Sequence, residues 1–429
     1  MSDLPFASIL RRWGLALASL ASLTLALACG GGSSQSTSPP PPASNTAAQL
    51  RIGDAASDRI IDFEVTIASP VTITGSGGNL QLTLSSNRLE LTHASAKMEP
   101  LAVLNVPQGT YTGASLTVSN PELTFLDNSG IPHKLQGNAS QTLTPTFSPA
   151  LTIGATPMVV SIDVNVANSV TTDASGNVTG FNFTASSFTF TAKPVAAAAQ
   201  QEDDDGELED VAGLVTSVSG NNFTMNVGQS GAQLTFATDN TTQFSDGLTN
   251  VASALNQIVK VEGNTRPDGT LFASEVEGIE NQNGAELEGL ITSVTGNPAT
   301  ALAVTAQDGI GSGMDDTKVG AGFTADVSGA QGQFKVDLGN VDTSGLGGIP
   351  GSPNFPFDAS TVKAGQRVEV ETTSAIPAAG GTVVADKVKL QQQAVTGTVA
   401  NFTPGSSGAA TFDLTLPADS YLTLLSGAN

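Results

Sequence analysis

The chain has 429 residues, of which 39 are Asp or Glu and 16 are Lys or Arg, for a net charge of -23. That sign excludes a basic nucleic-acid surface, which has to displace counterions from phosphates, and it argues against adsorption to anionic lipid headgroups by charge alone. With 46 glycines, 13% charged residues and a single cysteine, the composition fits short strands joined by glycine turns and excludes an intrachain disulfide.

The first predicted element is residues 1–28. Arg11 and Arg12 precede an uncharged run, residues 13–28. This is shorter than the roughly 20 residues a membrane-spanning helix needs and has the length of a signal-peptide apolar core. Ala26, Leu27 and Ala28 lead into Cys29, and LALACGGGSS resembles the lipobox of bacterial lipoproteins, with Ala26 standing where leucine is typical. The resemblance implies cleavage before Cys29 and lipidation of Cys29 as the new N-terminus. The alternative is a plain secretory signal with an incidental cysteine. Gly30 stands where the Gram-negative sorting pattern has an aspartate for inner-membrane retention, so the same resemblance implies an outer-membrane address. Two or more acyl chains anchor durably where one does not. Residues 29–47 predict a tether, flexible at the Gly/Ser end and stiffer through Pro39, Pro40, Pro41 and Pro42.

Residues 48–197 alternate apolar and polar positions in short runs such as IIDFEVTIA, MVVSIDVNVA and SFTFTAK. Period two predicts half-buried strands, with Phe188 and Phe190 on one face and Thr189 and Thr191 on the other. The expected fold class is all-β, opening with one antiparallel β-sandwich of seven to nine strands. LRIGDAASD and VPQGTYTGASLTVSN, with Asp54, Pro107, Gly109 and Tyr111, resemble an uncharacterised bacterial extracytoplasmic family, which implies a fold and a cellular setting only. Residues 198–210 are acidic and predict a solvated linker.

An internal repeat follows. AGLVTSVSGNNFTMNV from Ala212 matches EGLITSVTGNPATALAV from Glu288 and TGTVANFTPGSSGAATFDLTL from Thr396. The second halves match from Asn256 and from Gly365, aligning Gly269 and Thr270 with Gly381 and Thr382, and Ala273 with Ala385. This predicts small barrels of the OB or SH3 type at 211–280 and 286–392, the second lengthened by an insertion around 309–354, and a partial third copy at 394–429. The pattern resembles a second uncharacterised family common in bacterial surface lipoproteins.

The sequence offers little chemistry. Two histidines are present, His93 in a predicted strand and His133 in a predicted turn; one reading makes either a catalytic base, the other makes both ordinary surface residues. No G-x-S-x-G, H-E-x-x-H or Walker pattern occurs. The acidic linker supplies hard oxygens at Asp203, Asp205 and Glu207, weak Ca²⁺ candidates, but with Gly206 as the sixth residue of an EF-hand loop the first and twelfth would be Gln201 and Ala212, neither a carboxylate. No cofactor is expected. Tyr111 and Tyr421 are the only tyrosines and Trp13 the only tryptophan, few rings for stacking on sugars. The expectation is a non-enzymatic, lipid-anchored envelope protein that binds or supports an envelope protein or polysaccharide, held to the membrane through Cys29. The rivals are a surface hydrolase and a Ca²⁺-dependent adhesin. A pocket with two close carboxylates of raised pKa would favour the hydrolase.

Overall fold

A computed structural model describes residues 44–429, except 55–58, 85–87, 93–97, 139, 203–204, 229–230, 280–281, 331–332, 337–356, 392, 394–396, 406–409, 419 and 427–429. The chain is all-β; among the described residues the non-strand elements are short 3-10 turns and one six-residue helix, Tyr421–Ser426.

The N-terminal part is a two-sheet body around one core. One sheet orders Phe188–Pro194, Met158–Val164, Asn45–Asp54 and Glu99–Pro107. The other is built on two long strands, Ile60–Gly75 and Gly109–Leu126, with shorter strands on their edges. Leu50, Phe63, Val65, Leu116, Ile162, Phe188 and Phe190 fill the space between them. The expectation of a purely antiparallel body needs correcting. Asn45–Asp54 runs parallel to Met158–Val164, with Ala48 beside Met158 and Asp54 beside Val164. Only a tight hairpin forces strands antiparallel, and here the whole second sheet lies between the two in sequence.

The segment singled out around Tyr111 has a mechanical explanation. Its hydroxyl donates to the Pro107 carbonyl at 2.7 Å while the ring is buried, the geometry of a tyrosine corner. A Cβ on Gly77 would collide with that hydroxyl, and one on Gly109 with the Gly77 backbone, so the turn admits no side chain.

Two closed rings of strands follow. In the first, Ala232–Ala237, Asn222–Val227, Glu207–Ser219, Ile258–Thr265 and Leu271–Gly278 are neighbours in that order around the ring, and Phe236 beside Leu271 closes it. The second repeats this with Ala285–Gly296, Ala299–Gly311, Gly322–Asp326 and Arg367–Thr372. Thr382–Val384 and Lys387–Leu390 act as one bent closing strand, paired in parallel with Gly322–Asp326 on one side and antiparallel with Arg367–Thr372 on the other. Two expectations change. The acidic linker ends early, because Glu207 and Glu209 already belong to the first strand of the first ring. The supposed insertion contains two strands of the repeat itself, Gly322–Asp326 and Phe334–Val336, which take the places of Ala232–Ala237 and Gln243–Ser245.

After the second ring comes a two-stranded hairpin, Thr398–Pro404 with Ala410–Thr415. The chain then enters the helix Tyr421–Ser426, capped by Ser420, whose hydroxyl accepts from the Thr423 amide at 3.2 Å. Tyr421, Leu424 and Leu425 pack on Ile61 and Leu126 of the two-sheet body and Leu290 of the second ring.

Candidate functional site

In each ring, the strand before the closing strand alternates valines with charged residues. Val259 and Val261 are fully buried in the first core, Val368 and Val370 in the second. Alternation therefore sends Lys260 and Glu369 outward. Cross-strand pairing sets Lys260 opposite Glu277 and Glu369 opposite Lys389. These outward faces do not meet water; they meet each other.

The Lys260 ammonium lies between two carboxylates of the second ring, in contact with Glu369 Oε2 and 3.1 Å from Glu286 Oε2. Lys389 lies 3.1 Å from Glu369 Oε1 and 2.9 Å from Glu371 Oε1, and Lys387 lies 3.2 Å from Glu371 Oε1. Gln391 donates to Glu369 Oε2 at 3.1 Å. Glu369 is 0% and Lys260 9% exposed, so each charge depends on its partners for stabilisation.

The titration of the cluster follows from how the lysines are shared. Burial pushes the Glu369 carboxyl up, but Lys260 and Lys389 together overcome this and hold it below its ordinary value. Burial pushes Lys260 down, and Glu369 and Glu286 more than reverse it. Glu286 comes second in the competition for Lys260: burial and the Glu369 charge raise it to about 7. Glu277 is also raised to about 7, by burial and by a hydrogen bond shared with Asp246. Two carboxyls thus hold protons near neutrality while Glu369 stays ionised.

One oxygen each from Glu286, Glu369 and Glu371 lie within 4.8 Å of one another, a spacing a metal ion can bridge. Lys260 and Lys389 already sit on these oxygens, so a cation would have to displace an ammonium. The raised carboxyls meet the electrostatic half of the hydrolase criterion. The space bounded by Asp246, Lys260, Glu277, Glu286 and Lys389, however, is too tight to admit a water molecule.

The same use of polar faces recurs at the other two junctions. On Asn45–Asp54, Leu50 and Ile52 enter the core while Gln49 and Arg51 face away from it, yet these are only 1% and 0% exposed. Thr265 of the first ring donates to Gln49 Oε1 at 2.7 Å. On Ile60–Gly75, Asp62 and Glu64 are likewise buried behind Phe63 and Val65. There Thr124 donates to the Gly320 carbonyl at 3.0 Å, Lys134 to that of Val319 at 2.9 Å, and Gln307 to that of Ile61 at 2.7 Å. Burial and the charges of Glu90 and Glu64 push the Asp62 carboxyl well above its ordinary value. Burial raises Glu64 to about 7 even though Arg88 grips it at 3.2 and 3.1 Å. Gly320, at φ +69, passes so close to Asp62 and Thr124 that a Cβ would collide with both.

Among the described residues, those singled out from sequence are not brought together. Cys29, His93 and Asp203 lie outside the described residues. Asp205 uses an oxygen to accept from the Glu202 amide at 2.7 Å, closing a turn, and Glu207 belongs to a strand. His133 is in a strand, Pro132–Gln136, rather than a turn. It lies 2.9 Å from Asp127 and against the Phe125 ring. The residues that converge instead, Lys260, Glu277, Glu286, Glu369 and Lys389, read in sequence as ordinary outward positions on half-buried strands. The one signal available was the repeat itself, which aligns Lys260 with Glu369 and Glu277 with Lys389.

Residues 212–277, the body of the first ring, match a domain of unknown function, DUF5666. No curated protein matches the chain.

Proposed function

We propose that the chain is a non-enzymatic structural module of a bacterial cell envelope, anchored by lipid on Cys29, with outer-membrane placement following from Gly30. The observation that carries the structural half is that Lys260 is shared by Glu369 and Glu286 at the junction of the two rings, where the space between the charged groups admits no water. A protein that must hold its parts in fixed relation gains from such junctions; a hydrolase needs its carboxyls open to substrate and water. Among the described residues no helix is long and apolar enough to cross a membrane; in this reading Cys29 supplies the attachment. The residues after it form a tether that holds the β-built body away from the bilayer. An envelope protein or polysaccharide is the partner class this setting offers.

The test is fractionation of cells expressing Cys29→Ser. The variant should leave the membrane fraction and fail to incorporate labelled palmitate. If it stays in membranes and still takes up the label, the anchor is elsewhere and the reading fails.

A further inference from the structure

The hairpin Thr398–Pro404 with Ala410–Thr415 is the opening of a third ring. In all three copies a glycine leads the first strand so close to its neighbour that a Cβ would strike a carbonyl: Gly213 against Asn226, Gly289 against Thr305, Gly397 against Thr415. Val215 pairs with Met225 in the first ring as Val399 pairs with Leu414 in the hairpin, which places Phe412 where the first ring has Phe223. The environments differ sharply. Val215 and Phe223 are 0% and 1% exposed. Val399, Phe402 and Phe412 are 55%, 62% and 53% exposed.

What covers this face in the rings is more β-structure of the same repeat. Asn222–Val227 is continued by Ala232–Ala237, and Ala299–Gly311 by Gly322–Asp326. Among the described residues Ala410–Thr415 has no such third strand, and the helix that follows it is committed to Ile61, Leu126 and Leu290. Charge points to the occupant. The chain carries a net charge of -23, yet across residues 397–415 Asp413 is the sole charged group, and it accepts from Asn401 Nδ2 at 2.7 Å. This is a place where two copies of an acidic molecule can meet without strong repulsion.

We propose that the hairpin is a self-association surface, on which Val399, Phe402, Phe412 and Leu414 of one copy pack face to face against the same residues of a second copy about a two-fold axis. Each copy supplies the apolar cover that the rings draw from their own strands, and an isologous contact of this kind closes at a dimer.

Cys29 is the only cysteine, so the full chain bearing Cys29→Ser removes both the proposed anchor and the only native thiol. Failure of the anchor and failure of this surface are therefore read separately. In that background, sedimentation should give a dimer, and the added pair Val399→Ser and Phe412→Ser should halve the sedimenting mass while leaving the thermal unfolding of the rings in place. A thiol at Val399→Cys should join two copies through a disulfide on mild oxidation, and one at Asp413→Cys, on the opposite face, should not. A monomer at every concentration, or disulfide capture at 413 with none at 399, overturns the proposal.

Discussion

The two rings share a fold and differ in the sign of one row. Where the first ring has Lys260 opposite Glu277, the second has Glu369 opposite Lys389. Two copies of one row would face each other with like charges. Inverted, Lys260 reaches across to Glu369, and each ring supplies the counter-ion the other needs. A repeated unit can therefore dock on its neighbour through the same face, provided one copy reverses its charges. Desolvation costs make such a contact poor as a source of net stability but costly to mismatch, so its main effect is to fix which faces meet.

Making the two rows alike should damage the fold most. Glu369→Lys sets a lysine against Lys260 and Lys389 in a buried site. It should lower the unfolding free energy by more than the ~3–5 kcal/mol expected for removing one partner of a buried pair. Lys260→Met should fall within that ~3–5 kcal/mol range, because Glu286 and Glu369 lose their shared cation. Denaturant titration at pH 7 measures both, and equal, small losses would show that the sign inversion does not matter.

A pH series sharpens the same point. Glu277 and Glu286 titrate near 7 in the folded protein, against an ordinary value of 4.5. Between those values the folded chain holds protons that the unfolded chain has released, so stability must fall as pH rises from about 4.5 to about 7. Glu64, also raised to about 7, acts in the same direction. Glu286→Gln should flatten the slope over that window without abolishing it. A slope of the opposite sign would mean these carboxyls are ionised in the fold.

The smallest expected effect compares equivalent valines. Val215→Thr buries a hydroxyl in the first core and should cost about 1–3 kcal/mol. Val399→Thr, on the exposed hairpin, should change the unfolding free energy of the Cys29→Ser chain by no more than about 0.5 kcal/mol. Thermal unfolding at a concentration too low for association reads both.

Period-two alternation made the strands legible, and Phe188, Phe190, Val259 and Val370 lie in cores as the pattern requires. The repeat was legible through Gly269, Thr270, Gly381 and Thr382, which lie just before or at the start of the closing strands. What alternation does not encode is where an outward face goes. Gln49, Arg51, Asp62, Lys260 and Glu369 occupy outward positions, yet all are buried, because another folded part lies on top of each. A local pattern reports the two sides of a strand and carries no information on contacts formed by residues a hundred positions away. The same limit hid the strand Gly322–Asp326 inside an apparent insertion. Its partner Thr382–Val384 is distant in sequence, and the 327–381 stretch between them obscured the repeat's spacing.

The inverted charge row is expected to join the two rings into one cooperative unit. Hydrogen exchange under increasing denaturant tests it most directly. In the native sequence, the amides of Leu271–Gly278 and Arg367–Thr372 should lose protection at a common midpoint, and Lys260→Met should split them into two. Separate midpoints in the native sequence, or a common midpoint that survives Lys260→Met, would contradict the account.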